Sequence, residues 1–294
     1  MQEEPLDLAY QPPSPDRLTP HGILERYRFV PPNAGPNAQL PTVLTFPPDV
    51  FYLEYEDHGN PGEMFATYDL QQAGFLVFQV DHRLAAPGAL DGQHSSGISP
   101  AQYDDAERQI LAALADPQCN GSIYLGGGSA GGCLALWCAL DSATHTATGW
   151  NNAARLHIKA VVSFSGPTDL SNWDHPGLTD AQYLGFKEGA DRYTGLPFVP
   201  TPTYDYTTLH NASPVSLITP GLTSAPVMLY GSTLESVSPV QQDEMKNLLI
   251  GVAPVVTETI FTGTDHAYQN WHKLNLAGTN CVSTDVISFL HTYP

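Results

Sequence analysis

Tyr124-Leu125-Gly126-Gly127-Gly128-Ser129-Ala130-Gly131-Gly132 is the stretch that decides the fold. A short apolar run at 123–125 precedes the glycines, and an alanine- and leucine-rich run at 133–140 follows them. That pattern predicts a strand, a sharp turn and a helix, with one hydroxyl on the turn. A non-glycine residue on such a turn is strained, and small residues two before and two after let the backbone close around it. The strain lifts the hydroxyl clear of the sheet, where a base can reach it, so Ser129 is the candidate nucleophile. A phosphate-binding loop is the rival use of such glycines. It would need Lys-Ser or Lys-Thr at the helix start, and this chain has neither there.

Outward from the serine, apolar runs alternate with helical patterns. Residues 23–30 read as an edge strand, and 42–46, bounded by Pro41 and Pro47, as a buried one. A helix is expected over 61–72 with Gly74 as its C-terminal cap, then a strand over 75–80. Ser99 as N-cap and Pro100 at the first helical position open a helix to about residue 115, and 122–125 is the strand under the serine. Strands follow at 158–164, 227–230 and 255–261, with helices at 240–249 and 284–291. Strands alternating with helices predict an α/β fold, a mainly parallel central sheet with helices on both faces. With no internal repeat and no clear linker, 1–294 is read as one domain, its first 20 residues a proline-rich extended arm. Residues 167–224 interrupt the alternation and carry Tyr183, Phe186, Tyr193, Phe198, Tyr204 and Tyr206. Such an excursion either covers a site or packs on the body, and its aromatics serve packing or substrate accordingly.

Composition narrows the partners. The chain has 294 residues, 42% of them hydrophobic, enough for a sizeable core. Eleven Lys and Arg face 30 Asp and Glu, a formal net charge of −19. That charge suits solubility and repels nucleic acid and anionic membrane surfaces. No run of ~18 apolar residues predicts a membrane span. The start, Met1-Gln2-Glu3-Glu4-Pro5, lacks the basic and apolar regions of a signal peptide, so a cytoplasmic protein and a secreted one whose signal has been removed both fit. The four cysteines, Cys119, Cys133, Cys138 and Cys281, lack zinc-type spacing. Cys133 and Cys138 are expected to pack as small hydrophobes on the helix after the serine, while Cys119 and Cys281 could pair.

A serine hydroxyl is a poor nucleophile until a base takes its proton, and the usual base is a histidine held by a carboxylate. Among eleven histidines, His266 follows the last core strand in Phe261-Thr262-Gly263-Thr264-Asp265-His266. Ligands of open α/β sheets bind outside the carboxyl ends of the strands, so this loop lies on the serine's edge. Glu235 is the only acid in the loop after the preceding strand, Gly231 to Pro239, and would accept the imidazole N–H. Asp265 is the rival acid but would have to fold back on its neighbour; Asp243 and Glu244 fall on the next helix. Two glycosylation-type triplets, at Asn120 and Asn211, carry little weight at this length.

The order Ser129, Glu235, His266 is that of α/β-hydrolases. From about Pro41 onward the chain resembles this superfamily, and most of all the hormone-sensitive-lipase-like and carbohydrate or feruloyl esterases. Val80-Asp81-His82-Arg83-Leu84-Ala85 is similar to the family's V-D-Y-R-L-A, Ser165-Gly166-Pro167-Thr168-Asp169-Leu170 to its S-G-x-x-D-L, and Ala212-Ser213-Pro214-Val215 to its A-S-P-I. Three departures stand out. Gly128 replaces the elbow's usual aspartate, and Glu235 stands where aspartate is commoner. Pro47-Pro48-Asp49-Val50 occupies the place of the H-G-G-G segment that forms the oxyanion hole, with Phe51 matching the aromatic after it. Proline has no N–H to donate, but the family's donors align with Asp49 and Val50. The resemblance thus implies a hole from the Asp49, Val50 and Ala130 N–H groups, with the Asp49 carboxylate turned away.

The expected protein is a serine hydrolase of carboxylic esters, short-acyl, sugar-linked or aryl-linked, acting through an acyl-enzyme without cofactor or metal. Its expected partner is a small-molecule ester, with Phe51, Tyr183, Phe186 and Tyr193 as substrate contacts. Asp57-His58-Gly59 is expected to be a turn. Two alternatives stand beside this reading. The elbow also resembles that of prolyl-oligopeptidase-like peptidases, which usually carry an N-terminal propeller that the ~40 residues before the first core strand cannot supply. A non-catalytic binding protein on the same fold would be marked by loss of a triad member.

Overall fold

The computed structural model describes residues 16–17, 23–24, 26–51, 61–85, 97–172, 180–196 and 205–294. Two short strands, β1 (Asp16–Arg17) and β2 (Ile23–Leu24), form a separate antiparallel ladder. The main sheet has seven strands: β3 (Arg26–Phe29), β4 (Leu40–Phe46), β5 (Leu76–Val80), β6 (Cys119–Gly128), β7 (Ile158–Phe164), β8 (Val227–Ser232) and β9 (Val256–Phe261). Their order is β3-β5-β4-β6-β7-β8-β9; β3 runs antiparallel to β5, and every other pairing is parallel.

Parallel strands are linked by crossover helices that cover both faces. The strand side chains alternate accordingly. Leu44, Phe46, Leu125, Val161 and Leu229 share one core with α2 (Ala101–Leu114), α3 (Ala130–Leu140) and α7 (Pro239–Leu249). Val43, Tyr124, Val162, Phe164 and Tyr230 share the other with α1 (Pro61–Gln72) and α8 (Val282–Thr292). The expected mainly parallel α/β sheet with two covered faces is thus the observed one. α3 is apolar all round, and each of its residues is buried, as a helix without a polar face must be.

Register levels the carboxyl ends of the strands. Phe46 pairs with Gly127, Gly128 with Phe164, Phe164 with Tyr230, and Ser232 with Phe261. Loops leaving β4, β6, β7, β8 and β9 therefore emerge on one edge. The excursion after β7 holds α5 (Asp180–Thr194) and α6 (Tyr206–Asn211), and it is tied to the body by named bonds. Tyr103 Oη donates to Ala212 O at 2.5 Å, and the Thr168 N–H donates to Gln241 Oε1 on α7 at 2.9 Å. A four-residue helix, α4 (Asn152–Arg155), precedes β7.

Two sequence expectations shift. Pro100, not Ser99, is the N-cap of α2, so the helix begins one residue later than the serine suggested. All four cysteines are free: Cys119, Cys133 and Cys138 are buried and Cys281 is partly so. Burial pushes the Cys133 thiol up to about 12, which fits its role as a packing group. Among the described residues, no helix is long and apolar enough to cross a membrane.

Candidate active site

Ser129 stands between β6 and α3 with φ 50° and ψ −121°, a left-handed backbone that a serine adopts only under constraint. Its N–H donates to Phe164 O at 2.8 Å, and the Gly131 N–H donates to Pro47 O at 3.0 Å, stitching the turn to β7 and to the loop after β4. The flanking glycines are sterically required. A Cβ on Gly127 would run into the Gly131 carbonyl, and one on Gly131 into the Phe46 carbonyl. The serine is 6% exposed at the N-terminus of an eleven-residue helix, where unpaired N–H groups and the helix dipole favour negative charge.

Backbone strain marks the same edge of the sheet. Among the described residues the non-glycines with positive φ are Val50, Phe51, Ser129, Ser165 and Ala267. Each follows the carboxyl end of β4, β6, β7 or β9. Strained conformations persist only where surrounding structure holds them, and they gather at functional sites.

His266 heads a short 3-10 turn, Ala267–Asn270, and its N–H donates to Gln269 Oε1 at 2.8 Å. Its Nδ1 lies 2.6 Å from Glu235 Oε2. Glu235 is buried, and its other oxygen accepts the Ser232 N–H at 2.6 Å. A carboxylate only accepts, so Nδ1 carries the proton and Nε2 is left with its lone pair. Asp265 is turned elsewhere: it is paired with Lys273, and its side chain is 42% exposed. Glu244 on α7 accepts from Asn172 Nδ2 at 3.3 Å. The histidine loop is pinned by two hydroxyls that sequence reasoning did not single out. Ser165 Oγ accepts the Ala267 N–H at 3.0 Å, and Ser232 Oγ donates to Asp265 O at 2.6 Å. Ser165 belonged to a recognised motif, but nothing in that motif named its partner.

Gly128 shows how closely the serine and histidine loops meet. A Cβ there would lie 2.8 Å from Ala267 Cβ and 3.0 Å from Tyr268 Cδ2. The residue before Ser129 thus abuts the residue after His266, and the aspartate usual in the family does not fit this approach.

The segment aligned with H-G-G-G forms a tight turn after β4. Val50 has φ 52° and Phe51 φ 69°. The Asp49 carboxylate points into the protein, accepting the Phe51 N–H at 3.0 Å through Oδ1 and pairing through Oδ2 with His82 Nε2 at 2.8 Å. Phe51 O accepts from Ala85 N at 2.9 Å and from Gln102 Nε2 at 2.7 Å. The N–H groups of Asp49, Val50 and Ala130 donate to no acceptor among the described residues.

The expected substrate aromatics are mostly packing groups. Phe51 stacks on Tyr193 with centroids 4.3 Å apart, and Tyr193 meets Tyr103 edge-on at 5.6 Å. Phe51, Phe186 and Tyr193 are all buried, so they fasten the excursion to the body rather than face open space. Tyr183 lies on α5, but its side chain is outside the described residues, as are Asp57-His58-Gly59, Phe198 and Tyr204. Tyr206 is exposed. One group of metal-type donors exists among the described residues: Asp104, Glu107 and His145. His145 Nδ1 lies 2.8 Å from Glu107 and Nε2 lies 3.2 Å from Asp141. Both ring nitrogens are thus engaged, the arrangement of an imidazolium between carboxylates rather than of a metal ligand.

Comparison with known proteins places the fold. No curated protein matches the chain. Among solved structures, esterase Est2 of the Planctomycetes species Thermogutta terrifontis, with propionate bound, aligns over 99% of this chain and 96% of its own, with 16% identity and a TM-score of 0.65. Esterase B of Lactobacillus Rhamnosis aligns over 94% and 83%, with 17% identity and a TM-score of 0.64. The acetyl ester-xyloside bifunctional hydrolase of Caldicellulosiruptor lactoaceticus aligns over 95% and 91%, with 17% identity and a TM-score of 0.62. These likenesses establish the α/β-hydrolase fold. The BD-FAE family model matches residues 55–249, from before α1 to the end of α7. The chain has the α/β-hydrolase fold and belongs to the BD-FAE family.

Proposed function

We propose that the protein is a serine esterase that cleaves carboxylic esters through an acyl-enzyme. One observation carries the reading: the strained Ser129 turn abuts the loop of His266, whose Nδ1 is held 2.6 Å from a buried glutamate. Ser129 Oγ attacks the acyl carbon while His266 Nε2 takes its proton. The tetrahedral oxyanion is met by the N–H groups of Asp49 and Val50 in the turn after β4 and of Ala130 at the start of α3. Collapse expels the alcohol, which leaves with the proton from His266. Water, deprotonated by His266, then attacks the acyl-serine, and the acid is released as Ser129 Oγ takes that proton back from His266. Glu235 orients the ring and stabilises the imidazolium of each transition state.

The solved relatives support this class of substrate. Est2 has been seen with propionate and with butyrate, and phosphorylated by paraoxon, while the Caldicellulosiruptor protein is an acetyl ester-xyloside hydrolase. Short acyl groups, including those on sugars, are the substrates to try first. The parent chain should turn over p-nitrophenyl acetate or butyrate, and Ser129→Ala should lower kcat by about 10⁴-fold or more. Turnover unchanged in Ser129→Ala would refute the assignment, and cleavage of amides in preference to esters would favour a peptidase.

A further inference from the structure

Two positions near the site that differ from the motifs of the resemblance are partners. Asp49 stands where the resemblance implies a glycine, His82 where it implies a tyrosine, and they meet at 2.8 Å. They follow neighbouring strands, β4 and β5, whose Thr45 and Gln79 are in register. The His82 side chain is fully buried. Its Nε2 faces the Asp49 carboxylate and its Nδ1 faces Arg83 O at 3.1 Å. Nδ1 must donate to that carbonyl, and a proton on Nε2 turns its 2.8 Å contact with Asp49 from a lone-pair repulsion into an ion pair, so a cationic ring fits both sides.

We infer that Asp49 and His82 act together as positioning residues for the oxyanion donors. The buried imidazolium cancels the carboxylate's charge, and the pair holds the strained turn at residues 49–51 with its free N–H groups facing the reacting carbonyl oxygen. The inference rests on the esterase reading above. Left-handed Val50 and Phe51 are strained where glycines would not be. The Phe51 N–H to Asp49 and the two bonds to Phe51 O oppose that strain. The carboxylate that accepts the Phe51 N–H would by itself repel a nascent oxyanion. Paired with His82, it holds the turn without leaving net negative charge beside the hole.

The charges facing His82 among the described residues are Asp49 from the loop after β4 and Asp81 from the end of its own strand, while Arg83 turns its guanidinium to Asp105 at 2.8 Å. Burial opposes protonation of His82, but Asp49, the Arg83 carbonyl and Asp81 outweigh it and raise the imidazole to about 9. A raised histidine contributes stability that is complete below its ordinary value of 6.5 and is lost as pH rises through about 9. The turn should therefore loosen in mildly alkaline solution.

The test compares the parent with Asp49→Asn and His82→Gln, each checked for folding by circular dichroism. Both should lose about tenfold to 100-fold in kcat for p-nitrophenyl butyrate, with KM moved less than about threefold. The parent's kcat should fall above about pH 9, and this alkaline limb should vanish in His82→Gln. Nitrogen-15 NMR of the parent at about pH 8 should show both His82 ring nitrogens protonated, a readout that needs no variant to fold. A neutral His82 ring at that pH, or folded variants that keep the parent's kcat and alkaline limb, would overturn this inference alone. A parent without ester turnover would overturn it together with the esterase reading.

Discussion

Two acids lie close to His266 in the folded chain, and their partners separate them. Glu235 is buried, accepts the Ser232 N–H, and meets Nδ1 at 2.6 Å; Asp265 is partly exposed and paired with Lys273. Glu235→Gln should lower kcat by roughly 10³- to 10⁴-fold, because an amide can present its N–H to Nδ1 and favour the wrong tautomer. Asp265→Asn removes only a solvent-screened ion pair and should change kcat less than about threefold. Steady-state kinetics of the two variants checks this, and the reverse ranking would move the acid's role to Asp265. Position along the chain was enough to single out Ser129, Glu235 and His266, since each follows a strand whose end lies on the same edge. The Asp49–His82 pair was not legible. Its members sit on separate loops, and only the alignment of β4 with β5 makes them neighbours. The hydroxyls of Ser165 and Ser232 were hidden for the same reason, because their partners are backbone groups of a distant loop.

At the scale of elements, β6, the serine turn and α3 form one unit whose glycines answer to different neighbours. Gly127 and Gly131 face backbone of the turn and of β4, whereas Gly128 faces the side chains of Ala267 and Tyr268. Gly128→Asp restores the family's commonest elbow but drives a side chain into that contact. It should cost about 1–3 kcal/mol and lower Tm by several degrees, with activity reduced as the His266 loop is displaced. Thermal unfolding and turnover check this, and a Tm equal to or above the parent's would show that the loops have room to part. The strands and helices of the main sheet were legible because apolar runs bounded by proline and glycine fix their cores, and the observed elements match them to within a few residues, save that the edge strand expected over 23–30 divides into β2 of the small ladder and β3 of the main sheet. Element ends were less legible. Ser99-Pro100 has the form of an N-cap and first helical residue, yet Pro100 itself caps α2. The excursion aromatics were ambiguous for a different reason: a buried tyrosine and a substrate-facing one have the same sequence signature, and only the stacking of Phe51 on Tyr193 resolves that pair.

For the whole molecule, the dominant long-range term is a formal charge of −19. Like charges on a compact body repel, and salt screens them over about 8–10 Å at moderate ionic strength. Raising sodium chloride from about 10 mM to about 300 mM should raise Tm by a few degrees. Differential scanning calorimetry checks this, and a Tm that falls with salt would mean that local ion pairs such as Lys246–Glu258 outweigh the global repulsion. The same architecture delivers the loops after β4, β6, β8 and β9 to one edge, which is how residues scattered from Asp49 to His266 come to lie on the same side of the sheet. The central claim is that Ser129 is the nucleophile made reactive at that edge. Intact-mass and peptide analysis after exposure to a fluorophosphonate tests it most directly. A single stoichiometric adduct on Ser129, absent from Ser129→Ala, is the predicted result; no adduct on the folded parent, or one that persists in Ser129→Ala, would contradict it.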